Sequence, residues 1–79
     1  MIKNMENLKK QIQSVVDIYK SGNLTEAERA TNELIVSHPK IVFLYNLLGL
    51  ILSGQKKIVK AIECYENGLK IDPNYAMIY

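Results

Sequence analysis

The chain of 79 residues predicts an all-α fold of antiparallel helical hairpins. Three observations lead there. Apolar residues recur at spacings of three and four, and strand-like alternation never lasts more than a few residues. Proline occurs only at 39 and 73, and glycine only at 22, 49, 54 and 68, so four segments of good helix formers lie between short breaks. Short breaks make consecutive helices antiparallel neighbours.

The first helix is expected from Asn4 or Met5 to Lys20, with Leu8, Ile12, Val15, Val16 and Tyr19 on its apolar side. "SGN" ends it, since Gly22 can take the left-handed conformation of a helix stop. The second opens at Leu24 or Thr25, with Asn23 or Thr25 as N-cap and Glu26 and Glu28 at the positive end of the helix dipole. Leu24, Ala27, Thr31, Leu34 and Ile35 line one face, and "SHP" stops it because the residue before proline is pushed out of the helical region. The third is expected over Lys40–Ser53, with Leu44, Leu47, Leu48, Ile51 and Leu52 as a wide apolar stripe. The fourth runs from Lys57 to Ile71, with Ile58, Ala61, Ile62, Tyr65 and Leu69 at helical spacing, and Asp72 and Pro73 close it.

Counting excludes several chemistries. Cys64 is the only cysteine and His38 the only histidine, so no internal disulfide forms and a zinc, haem or Cys-His centre is nearly excluded. No metal, cofactor or catalytic residue is expected. His38 reads as a favourable charge near a helix end, and Cys64 as a partly buried structural thiol. Scattered carboxylates fall on solvated helix faces, and no glycine-rich phosphate loop exists. The net charge of +2 is spread: residues 1–41 carry six Lys/Arg against five Asp/Glu, and residues 42–79 four against three. That leaves no basic footprint for nucleic acid. The apolar run Leu47–Leu52 is far short of the ~18 residues of a membrane span. No secretory signal is visible, so a cytoplasmic protein is expected.

The chain also repeats. Pro39 and Pro73, Ala27 and Ala61, and Tyr45 and Tyr79 share one offset in numbering, 34, and Leu24 and Ile58 match in character at the same offset. In helix pairs, that period resembles the tetratricopeptide repeat. Tyr45, Leu48, Gly49 and Leu52 fall at the family's aromatic, Leu-Gly and second-aromatic positions. Ala61 and Tyr65 fall at its small and aromatic positions in the second helix, and Pro73 closes the unit. The unit 8–41 keeps Gly22, Ala27 and Pro39, but has Gln11, Ser14, Val15 and Thr31 where the family has an aromatic, Leu, Gly and an aromatic. A polar outer face suits a terminal unit. In the unit 42–75, Lys56 takes the place of the turn glycine, and Val59 and Lys60 replace residues that are usually acidic. "DPNYAMIY" then reads as the start of a third unit at 76–79.

The resemblance implies one domain, a right-handed α-solenoid, and a non-enzymatic scaffold for a protein or peptide partner. Its groove-facing positions are Ile12, Val16 and Tyr19 in one unit and Asn46, Leu50 and Ser53 in the next. The Lys/Asn clamp by which some relatives hold a terminal carboxylate is not matched, because Ile12 and Val16 stand at its first positions. An alternative is a self-associating structural module. A homo-oligomer would form through the uncapped last unit, helices being exchanged at the "SGQKK" turn. Leu44, Leu48, Ile62, Tyr65, Leu69, Met77 and Tyr79 are the expected contact face. A third and weaker alternative is a helix-turn-helix nucleic-acid binder, disfavoured by the flat charge distribution.

Overall fold

A computed structural model describes the backbone of residues 2–74 and the side chains of residues 7–74. Met77 and Tyr79, and the expected third unit, lie outside the described residues. Four helices follow one another: α1 (Ile2–Lys20), α2 (Leu24–Ser37), α3 (Val42–Gly54) and α4 (Ile58–Ile71). Each packs on the next, α1 on α2, α2 on α3 and α3 on α4.

The register is regular. Adding 34 to the bounds of α2 gives the bounds of α4, and subtracting 34 from those of α3 gives Leu8 and Lys20 in α1. Local chemistry explains the boundaries. Asn23 caps α2, its Oδ1 accepting from the Glu26 N–H at 3.3 Å. The start of α3 differs from expectation. Pro39 and Lys40 form a turn and Ile41 is extended, so the helix opens at Val42 rather than Lys40. The Tyr45 hydroxyl donates to the Pro39 carbonyl at 2.7 Å and ties this corner to α3. At the other end α1 begins at Ile2, ahead of the expected Asn4 or Met5, because "IKNM" contains no breaker.

The α3–α4 turn closes as a Schellman motif. The Lys57 N–H donates to the Leu52 carbonyl and the Lys56 N–H to the Ser53 carbonyl, both at 2.9 Å. That closure needs a left-handed residue. Lys56 supplies it with φ 65°, one repeat after Gly22 with φ 90°. Gly54 does not substitute for the missing turn glycine, since it is the last residue of α3. A left-handed conformation costs a non-glycine residue about 1–2 kcal/mol, partly offset by the greater freedom of glycine in the unfolded chain. Lys56→Gly is therefore expected to raise stability by about 0.5–1 kcal/mol. Urea unfolding followed by circular dichroism measures it.

The main core lies where the hairpins meet. Val15, Ala27, Leu34, Leu44, Leu47 and Ile51 form it, with Ile12, Val16, Tyr19, Leu24 and Ile35 packed around them. A smaller cluster of Leu48, Leu52 and Ala61 holds the second hairpin, with Ile35, Cys64 and Tyr65 against it. Thr31 is fully buried, and its hydroxyl donates to the Ala27 carbonyl at 2.7 Å, which satisfies it inside its own helix.

The two hairpins close their helix pairs differently. A Cβ on Gly49 would overlap the ring of Tyr65, so the ring lies flush on the α3 backbone. One repeat earlier, the same two positions hold Val15 and Thr31, both buried. One pair is small with large and the other medium with medium. The summed side-chain volume at the two positions is thus similar in both hairpins but differently divided.

Candidate functional site

The residues expected to face a groove sit on the two hairpin-opening helices, α1 and α3. Ile12, Val16 and Tyr19 of α1 are half-buried, packed against the main core. At the corresponding positions of α3, Asn46 is only 9% exposed, Ser53 is half-buried and Leu50 is 41% exposed. Asn46 therefore lies at the floor of this face rather than projecting from it. Leu50 does project, and it has a companion that sequence reasoning missed. Phe43, seven residues earlier on the same side of α3, is 38% exposed. The seven-residue spacing was the signal that could have revealed it. Phe43 and Leu50 expose two large apolar side chains two helical turns apart.

The second set of residues separates. Leu44 is fully buried and Leu48 nearly so, because α3 carries apolar residues on most of its circumference and turns these two inward. Neither offers a contact surface. Ile62 is 50% exposed, while Tyr65 and Leu69 are half-buried beside it on α4. Val59 is open to solvent, as is Val36 on α2.

The outer side of the first hairpin is polar at its rim. An open groove of about 440 Å³ runs between α1 and α2, with Val15, Ile18, Ala30 and Leu34 as floor and Gln11, Ser14, Glu26, Arg29, Glu33 and Ser37 around it. Arg29 bridges Glu26 and Glu33, three residues before it and four after it. Hydrogen bonding to Arg29 holds the Glu26 carboxyl below the usual carboxylate range. A carboxyl depressed in this way supports the fold above its ordinary range and loses that support as the pH falls through its folded value. These groups are exposed, so the effect is small.

Among the described residues, no three His, Cys, Asp or Glu side chains gather to hold a metal ion. Burial, with Glu63 and Glu28 nearby, pushes the Cys64 thiol up. Less thiolate means a slower nucleophile, so Cys64 is expected to be alkylated by iodoacetamide at pH 8 more slowly than free cysteine. A rate equal to or above that of the free amino acid would contradict its partly buried placement.

The residues from Val42 to the Pro73 corner thus form one helix pair, with a glycine under an aromatic ring and a closing proline. The tetratricopeptide repeat family model matches residues 42–75. Residues 42–75 are a tetratricopeptide repeat. The match spans one full unit, α3, α4 and the corner after them. Neither a curated protein nor a solved structure matches the chain at a significant level. Tetratricopeptide repeats are non-catalytic units that mediate contacts between proteins, and this chain is accordingly a protein–protein interaction module. Among the described residues, no helix is long and apolar enough to cross a membrane.

Proposed function

We propose that the chain is a two-unit tetratricopeptide module, with residues 8–41 as a diverged first unit, and that it holds an apolar segment of a partner against the α1/α3 face. The observation that carries this is the exposed pair Phe43 and Leu50 on α3, with half-buried Ile12, Val16 and Tyr19 on α1. Exposed apolar side chains on one face favour partners that bring apolar side chains of their own. Asn46 at the floor and Ser53 at the edge supply polar groups for a peptide backbone. Ile12 and Val16 provide no positive charge, so a terminal carboxylate is not required. The module is no enzyme, and a lone thiol fits the expected cytoplasmic setting.

Peptides selected by display on the full chain test this reading. The expected winners are apolar, and amidating their C-termini leaves binding unchanged. Leu50→Glu places a charge in the face and is expected to weaken binding by roughly tenfold or more. A winner ending in acidic residues whose binding disappears on amidation would overturn the proposal.

Self-association through the C-terminal unit is the second reading. Half-exposed Ile58 and Ile62 on α4 favour it. A chain that sediments as a monomer at high micromolar concentration would count against it.

A further inference from the structure

The α3–α4 turn and the first turn of α4 carry the run Lys56, Lys57, Ile58, Val59 and Lys60. All five residues are exposed, Val59 by 72%. One repeat earlier, the positions of Lys56, Lys57, Val59 and Lys60 hold Gly22, Asn23, Thr25 and Glu26. The first unit thus has one negative charge where the second has three positive ones. An aliphatic side chain also stands in the open where the first unit has a threonine.

The first unit shows which of these positions helix stacking covers. α3 packs on α2, and Leu24, the counterpart of Ile58, is half-buried there. Gly22, Asn23 and Thr25 nevertheless stay exposed, and Glu26 turns to Arg29 of its own helix. Lys56, Lys57 and Val59 therefore lie outside the stacking surface, and their exposure does not depend on what packs against α4.

Charge and shape together define what fits. Lys57 reaches Glu28, its Nζ 3.3 Å from Oε1, while Lys56 and Lys60 make no ion pair among the described residues. Glu63 is the next acidic residue along α4. Lys20, the last residue of α1, adds a cation at the same edge, because antiparallel helices bring the end of α1 and the start of α4 to one side. Helical side chains lean toward the N-terminus of their helix, so Val59 and Lys60 lean toward this edge. Residues 56–60 line only a shallow, open hollow of about 360 Å³. Such a surface has no walls to grip a peptide, but a flat anionic surface can lie against it.

We propose that this edge is a membrane-surface site, its occupant the headgroup layer of an anionic bilayer. Lys56, Lys57 and Lys60 meet the lipid phosphates and carboxylates, and Val59, with Ile58 beside it, enters the boundary between headgroups and acyl chains. The chain then lies on the bilayer without crossing it. The inference does not depend on what the α1/α3 face binds.

Flotation of the full chain with lipid vesicles is the test. Vesicles of equimolar phosphatidylcholine and phosphatidylserine are expected to carry the chain, and vesicles of phosphatidylcholine alone are not. Raising the salt from about 0.1 to 1 M cuts the screening length from about 10 to 3 Å and is expected to release it. A lysine beside an anionic surface strengthens binding about fivefold, so Lys56→Gln with Lys60→Gln is expected to weaken it roughly twenty-fivefold. Val59→Ser is expected to weaken it about fivefold. These sites are exposed, so the fold stays intact, which circular dichroism checks. Lys40→Gln with Lys70→Gln makes the same charge change at the opposite edge, about 20 Å away along α4 and beyond the screening length, and is expected to leave binding unchanged. Flotation with neither vesicle, equal binding to both, equal weakening by the two lysine pairs, no effect of Val59→Ser, or capture of polyglutamate in place of vesicles would each overturn the proposal.

Discussion

Gly49→Val is expected to lower stability by about 2–3 kcal/mol, within the range for forcing extra atoms into a packed contact. Helix propensity alone has the opposite sign, because glycine is the poorer helix former by several tenths of a kcal/mol. Contact decides the outcome, since a Cβ at Gly49 would occupy the space of the Tyr65 ring. The ring must then swing out, losing its seat on α3 and with it much of the α3–α4 closure. The first hairpin shows a compensating solution, Val15 with Thr31 at the corresponding positions. Adding Tyr65→Thr to Gly49→Val is therefore expected to cost less than the sum of the single changes, with a coupling of about 1 kcal/mol or more. Urea unfolding of the four chains measures it, and additive losses would show that Gly49 and Tyr65 act independently.

Leu44→Ala is expected to have the largest effect. Leu44 is fully buried in the core that joins the two hairpins, beside Leu47, Ile51, Ala27 and Leu34. Truncating such a leucine costs about 2–5 kcal/mol, the upper part applying where neighbours cannot collapse into the space. A domain of this size has roughly 3–5 kcal/mol of net stability. Much of the chain is then expected to be unfolded at 25 °C. Because the residue lies between hairpins, both should melt together, with one transition seen by circular dichroism and by tyrosine fluorescence. A variant that kept a native melting curve, or lost only α3 and α4, would contradict a shared core.

Most of the fold was legible in the sequence because its punctuation is chemical. Asn23, Pro39, Pro73 and the constant offset between the units place α2 and α4 to within a residue. The start of α3 was less legible, since the turn after Pro39 depends on where the Tyr45 hydroxyl finds its acceptor. Lys56 was recognisable as standing at the turn glycine's position, but only backbone geometry shows that it adopts the glycine conformation. Val15 and Thr31 read as departures from pattern in the sequence, and the structure adds that both are buried.

Less of the candidate site was legible. A helix as uniformly apolar as α3 does not reveal which residues face inward, so Leu44 and Leu48 looked available when they are core. Phe43 was overlooked for the same reason, although it shares the exposed side with Leu50. The depth of Asn46, 9% exposed, follows from packing that composition does not encode.

The most direct test of an interaction surface on α1 and α3 is a map of where a selected apolar peptide touches the labelled full chain. Amide shifts should concentrate at Ile12–Tyr19 and Phe43–Ser53, and Leu50→Glu should abolish them while leaving the rest of the spectrum in place. Shifts confined to the exposed side of α2 around Val36, with Leu50→Glu without effect, would contradict it.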